Sequence, residues 1–167
     1  IHVEEYELMS NDEHGSEDAL ADLAFDRLPM PAPQVLVGGL GMGFTLAAAL
    51  RRVGDGGVTV AELSEAVVDW NREYTGRRAG FPLRDPRVTV YLGDVCDLID
   101  SSDARWDAIL LDVDNGPRAL TRPTNGWLYS PEGLERIQRA LTPDGVLGVW
   151  SSSPYPDFTT RLEEARF

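Results

Sequence analysis

Five short apolar runs punctuate the chain, and between them the apolar residues change to a spacing of three and four. Gln34 to Gly38 (QVLVG), Val58 to Glu62 (VTVAE), Arg87 to Leu92 (RVTVYL), Trp106 to Leu111 (WDAILL) and Gly145 to Trp150 (GVLGVW) have the length and near-continuous hydrophobicity of strands covered on both faces. Helices are expected in the intervals. Met42 to Arg52 is helical by composition, and Ser64 caps a helix with Val67, Trp70 and Tyr74 on one face and Asp69, Asn71 and Arg72 on the others. A short helix is expected over Asp94 to Ile99. Ser130-Pro131-Glu132 starts another, with Leu134, Ile137 and Leu141 turned inward. Near the beginning, Ser16-Glu17-Asp18 opens a helix that places Leu20, Leu23 and Ala24 together. The alternation of strand and helix predicts a doubly wound α/β domain: a parallel sheet of about five recognisable strands with right-handed crossovers and helices on both faces.

The length of 167 residues suits one core. Residues 1–30 read as a short acidic cover segment, with nine carboxylates and no arginine before position 27, and residues 31–167 as the α/β domain proper. The opening on Ile1 and a helix-like ending over Arg161 to Phe167 lead us to expect trimmed ends, with C-terminal strands missing.

The residues at the ends of the apolar runs carry the chemistry. Gly39, Gly41 and Gly43 follow the first run and open a helix, so the backbone can turn tightly and approach a ligand without side chains in the way. Such a loop is a weak signal alone. Glu62 strengthens it: nineteen residues past Gly43, at the end of the next strand, its carboxylate can accept both hydroxyls of a ribose. Asp94 ends the third run, where it can accept the exocyclic amine of an adenine while the amide of Val95 meets a ring nitrogen, or cap the helix that follows. Asp112 and Asp114 stand at the mouth of the same crevice, suited either to orienting and deprotonating an amine or hydroxyl or to local turn bonding. The stretch from Val113 to Tyr129, with two Asn-Gly steps and two prolines, is long for a connection of this kind and reads as a lid or substrate loop. Asn115, Trp127 and Tyr129 are its candidate substrate-facing residues, Trp127 either stacking on a substrate or anchoring the loop.

Charge narrows the classes of function. All fifteen basic residues are arginine, which excludes a Walker-type phosphate loop and a lysine Schiff base. A formal net charge of -13 argues against nucleic acid and makes a neutral or cationic small molecule the easier partner. The lone Cys96 lacks the clustered spacing of a zinc site, so no metal is expected, and it reads as a buried small residue. With neither a long apolar run nor a basic leader ahead of one, no membrane association is expected and a cytoplasmic location is. A homo-oligomer is left open. No Ser-His-Asp or Cys-His set stands out, which favours direct in-line transfer over a covalent intermediate.

The series VLVGGLGMG, VTVAELSEAVVDWNRE, DPRVTVYLGDVCDL, WDAILLDVDNGP and LYSPEGLERIQRALTPDGVLGVW, over roughly residues 34 to 152, resembles the nucleoside-binding core of the spermidine synthase family, itself similar to class I methyltransferases. The resemblance implies a Rossmann-like fold of the class I methyltransferase type and a donor that is S-adenosylmethionine or decarboxylated S-adenosylmethionine. It matches Glu62 to the ribose-binding acid, Asp94 with Val95 to the adenine-binding pair, and Asp112 to the aspartate that assists an attacking amine. His14-Gly-Ser-Glu17 weakly resembles the family's Tyr-His-Glu segment. Aminopropyltransferases read GGGDGG at the loop, with the aspartate holding the amine of the decarboxylated donor; the matching position here is Gly41. The aspartate-rich Asp-Ser-Ser-Asp-Pro signature has become Asp112-Val-Asp-Asn-Gly. Methyl transfer from S-adenosylmethionine to a small acceptor is therefore the expected reaction, with aminopropyl transfer to a polyamine, and binding without turnover, as its alternatives.

Overall fold

The computed structural model describes residues 2–3, 6–7, 14–113, 116–117 and 123–167. Two short strands, β1 (His2–Val3) and β2 (Tyr6–Glu7), pair antiparallel. Then follow α1 (Gly15–Phe25), β3 (Gln34–Gly38), α2 (Phe44–Arg52), β4 (Gly57–Glu62), α3 (Glu65–Glu73), β5 (Val88–Leu92), α4 (Val95–Asp100), β6 (Trp106–Leu111), α5 (Pro131–Ala140), β7 (Leu141–Val149) and α6 (Pro156–Glu164). The five later strands form one parallel sheet in the order β5-β4-β3-β6-β7. The order turns back at β3, whose successor in the chain lies on one side and β6 on the other. A crevice therefore opens at the carboxyl end of β3, where doubly wound sheets hold their ligands.

The period of two along each strand distributes its residues to two cores. Val35, Val37, Val58, Val60, Ala108 and Leu110 pack on one face against α1 and α2, through Ala21, Ala24, Leu46 and Ala49 among others. Leu36, Ala61, Ile109 and Leu111 turn the other way onto Ile99 of α4, Leu134 and Ile137 of α5 and Phe158 of α6. Covering both faces explains why these strands read as apolar runs instead of alternating ones. α1 belongs to the first core, and Arg51 and Arg52 of α2 tie it down through ion pairs to Asp18, Asp22 and Asp26.

Two helix faces differ from expectation. In α3 the buried positions are Val68 and Asn71, whereas Trp70 is 46% and Tyr74 68% exposed. The helix spans nine residues and offers the sheet only a narrow stripe, and an aromatic spacing of four selects the neighbouring one. In α1, Ala21, Ala24 and Phe25 are buried and Leu23 is exposed, because the small alanines let the helix lie close on α2. The last strand begins at Leu141, four residues before the expected start, since Leu141 continues the sheet opposite Trp106 across a register shift. None of the described helices is long and apolar enough to cross a membrane.

Candidate functional site

The β3–α2 turn is left-handed at Gly39, Gly41 and Gly43, with φ of 89°, 49° and 88°. A Cβ on Gly39 would lie 2.2 Å from the Asp112 carbonyl oxygen, so the loop passes directly over the end of β6. At Gly43 the same atom would meet the Pro82 ring at 2.8 Å. Glycine is required at both places by conformation and by space.

Glu62 ends β4 beside this loop and is fixed by two backbone donors. Leu40 N–H donates to Oε2 at 3.1 Å, and Ser64 N–H donates to Oε1 at 2.9 Å. The half-buried carboxylate thus joins the glycine loop to the β4–α3 turn and retains lone pairs for further donors. Exposed Leu63 and Leu92 flank it, Leu92 directly opposite Glu62 in the β4–β5 register.

At the end of β5, Asp94 caps α4: its Oδ1 accepts the Cys96 N–H at 2.9 Å. The capping alternative is therefore realised, and it leaves the second carboxylate oxygen for another donor. The Val95 side chain is buried, against Gly38 at the end of β3, while its N–H makes no hydrogen bond among the described residues. Cys96 is only half-buried. Burial and the neighbouring Asp94 carboxylate push its thiol up to about 12, which keeps it protonated and inert as a nucleophile.

Asp112 follows β6 across the crevice, its backbone N–H donating to the Gly38 carbonyl at 2.9 Å. Its side chain accepts a short hydrogen bond, 2.6 Å, from the hydroxyl of Thr45 in the first turn of α2. Burial pushes the Asp112 carboxyl up to about 6; the Thr45 hydroxyl acts in the opposite sense, and the charge of Glu17, from the first turn of α1, raises it further. His14, at the start of α1, stacks on Phe44 with ring centroids 4.5 Å apart, and its Nδ1 lies 3.1 Å from Asp18. The N-terminal segment therefore reaches the same rim. Glycine loop, Glu62, Asp94, Val95 and Asp112 all lie at the carboxyl edge of the sheet, at the ends of neighbouring strands.

Asp114 and Asn115 lie outside the described residues. Trp127 is half-buried in a 3-10 turn over Pro123–Tyr129 and packs on the second core. Tyr129 corrects its expected place: it is 1% exposed, lies edge-on to Phe158 and donates its hydroxyl to the Val113 carbonyl at 3.4 Å, so it anchors the loop from inside. A cavity of about 270 Å³ lies elsewhere, between β7 and α6, lined by Leu147, Val149, Tyr155, Phe158 and Leu162. Sequence reasoning missed Thr45, whose hydroxyl sits in an apolar helix start with no motif to mark it. It also took Asn71 for a solvent-facing residue.

The chain matches the Spermine/spermidine synthase domain over residues 14–157. Putrescine N-methyltransferase 2 of Nicotiana attenuata is 30% identical over 139 residues, 81% of this chain and 35% of that protein. Polyamine aminopropyltransferase 1 of Streptomyces coelicolor is 31% identical over 135 residues, 80% of this chain and 25% of that one. The chain thus spans between a quarter and about a third of the length of these relatives. The spermidine synthase of Thermotoga maritima superposes with a TM-score of 0.66 at 24% identity, over 78% of this chain and 42% of that one, and shares the fold. A five-stranded parallel sheet with a glycine loop and acids at its carboxyl edge, together with these matches, places the chain in the spermine/spermidine synthase family, on a class I methyltransferase-like fold.

Proposed function

We propose that the crevice binds S-adenosylmethionine and that the chain takes part in transferring its methyl group to a small amine. The observation that carries this choice is the loop itself: Gly41 offers backbone and no acid where a donor with a lone ammonium needs a countercharge. An ordinary methionyl end brings its own carboxylate, which suits backbone N–H groups at a helix start. The adenosyl end would lie along the sheet edge, its ribose hydroxyls on Glu62, its adenine near Asp94 and the free N–H of Val95, between exposed Leu63 and Leu92.

The chemistry asks little more than placement. The acceptor ammonium gives one proton to a base, and the freed amine lone pair attacks the sulfonium methyl in line; the N–C bond forms as the C–S bond breaks and the neutral thioether leaves. Asp112, with its carboxyl held near 6, is ionised at neutral pH yet basic enough to receive that proton, and Thr45 fixes its orientation. The N-methyltransferase and aminopropyltransferase relatives act on amines, and such an acceptor agrees with an acidic rim of Asp112 and Glu17.

Side-by-side calorimetry with S-adenosylmethionine, S-adenosylhomocysteine and the decarboxylated donor tests the reading. At least about tenfold tighter binding of the first two, roughly 1.4 kcal/mol, is expected, and Gly41→Asp should narrow or reverse it. Tighter binding of the decarboxylated donor by the unaltered chain would replace methyl with aminopropyl transfer; binding of none would leave neither.

A further inference from the structure

α3 carries one buried polar side chain beneath the glycine loop. Asn71 is 0% exposed, and its Nδ2 donates to the Gly41 carbonyl at 3.3 Å. Its Oδ1 has no hydrogen-bond partner among the described residues. The orientation of the amide follows from its neighbours, because the opposite one would set Oδ1 against the Gly41 carbonyl. Space is reserved for it on both sides. A Cβ on Gly76 would stand 2.7 Å from Oδ1, and one on Gly43 would stand 3.0 Å from Nδ2. An apolar side chain of similar volume would fill this place without an orphaned acceptor, so the fold carries a half-satisfied amide at a position in α3 that touches the loop.

We infer that Asn71 is a positioning residue for the donor, an inference that rests on the adenosyl reading of the crevice. In a trans peptide the C=O and the following N–H point in opposite directions. Holding the Gly41 carbonyl toward α3 therefore turns the Met42 N–H away from it, and that N–H makes no hydrogen bond among the described residues. Glu62 holds the same loop one residue earlier, through the Leu40 N–H. Two anchors from different elements thus fix a loop whose glycines have no conformational preference of their own. Asn71 touches no ligand in this arrangement; it sets the direction of the peptide that does.

The test compares Asn71→Leu with the unaltered chain by thermal melting, by calorimetry with S-adenosylhomocysteine and by the ¹H–¹⁵N resonance of Met42. The variant should melt at the same temperature or higher, bind about tenfold more weakly or worse, and show a displaced Met42 resonance without ligand. Equal affinity in a folded variant overturns the inference, and so does a loss of affinity that only follows a loss of melting temperature. Should the leucine variant fail to fold, Asn71→Ala is judged by the same three readings. If the unaltered chain binds no adenosyl compound, the donor reading itself falls and takes the positioning role with it. Tight binding by the unaltered chain and by both variants removes Asn71 alone.

Discussion

At neutral pH the Asp112 carboxyl is held ionised against its surroundings, and the fold bears the cost. Its carboxyl titrates near 6 in the folded chain against about 4 in an unfolded one, so the folded state holds the proton more tightly. Ionising it therefore costs stability, absent below about pH 4, growing as pH rises and complete above about 6, on the order of 3 kcal/mol. Asp112→Asn keeps an oxygen for the Thr45 hydroxyl and removes that cost. It should raise the melting temperature at pH 7.5 and have almost no effect at pH 4, as a pair of calorimetric scans would show. If Asp112 also receives the amine proton, the same substitution should lower turnover by about 10² or more and abolish an ascending limb near pH 6 in kcat/KM. A variant more stable at neutral pH with unchanged turnover would leave Asp112 a half-buried acid and nothing else.

At the scale of elements, the turns over the crevice are governed by steric room. Gly39→Ala must place a Cβ 2.2 Å from the Asp112 carbonyl while keeping a φ of 89°, so the end of β6 has to move. A loss of several kcal/mol and of donor binding together is expected in denaturant titrations. Gly80→Ala has a comparable φ of 77° but open space, and should cost only about 1 kcal/mol with donor affinity intact. Similar effects of the two would contradict the close approach of loop and strand. The glycines and the acids were legible in the sequence because each ends an apolar run, and a residue at a strand's carboxyl end in a parallel sheet is placed by topology alone. Trp70, Tyr74 and Asn71 misled for the converse reason. Hydropathy ranks aromatics as core and an amide as surface, while the stripe a short helix buries is decided by what lies beneath it, here a glycine loop with a carbonyl to satisfy. Thr45 was illegible because its partner is distant in sequence, at position 112. Nor could the period of the helix locate Tyr129, whose loop position conceals a ring wedged against α6.

For the molecule as a whole, charge is the property that composition fixes most firmly and that acts at the longest range. The chain bears a formal charge of -13, and several of the described arginines are already engaged: Arg51, Arg52, Arg87 and Arg136 each pair with aspartate. Asp112 stands under the influence of Glu17, so on the proposed reading a cationic amine would meet an attractive field on approach and a carboxylate on arrival. S-adenosylhomocysteine, whose ammonium and carboxylate offset each other and which lacks the sulfonium charge, would gain much less from that field. Raising ionic strength from about 0.01 to 0.15 M shortens the screening length from about 30 to 8 Å. For methyl transfer to a diamine we therefore expect the acceptor KM to rise several-fold with salt while the affinity for S-adenosylhomocysteine changes little. Steady-state kinetics over a sodium chloride series would show it, and an uncharged hydroxylated acceptor run in parallel should give a flat line. If amine and hydroxyl acceptors respond to salt alike, the acidity serves the surface and not the site, and any preference for a cationic acceptor must come from direct contacts alone.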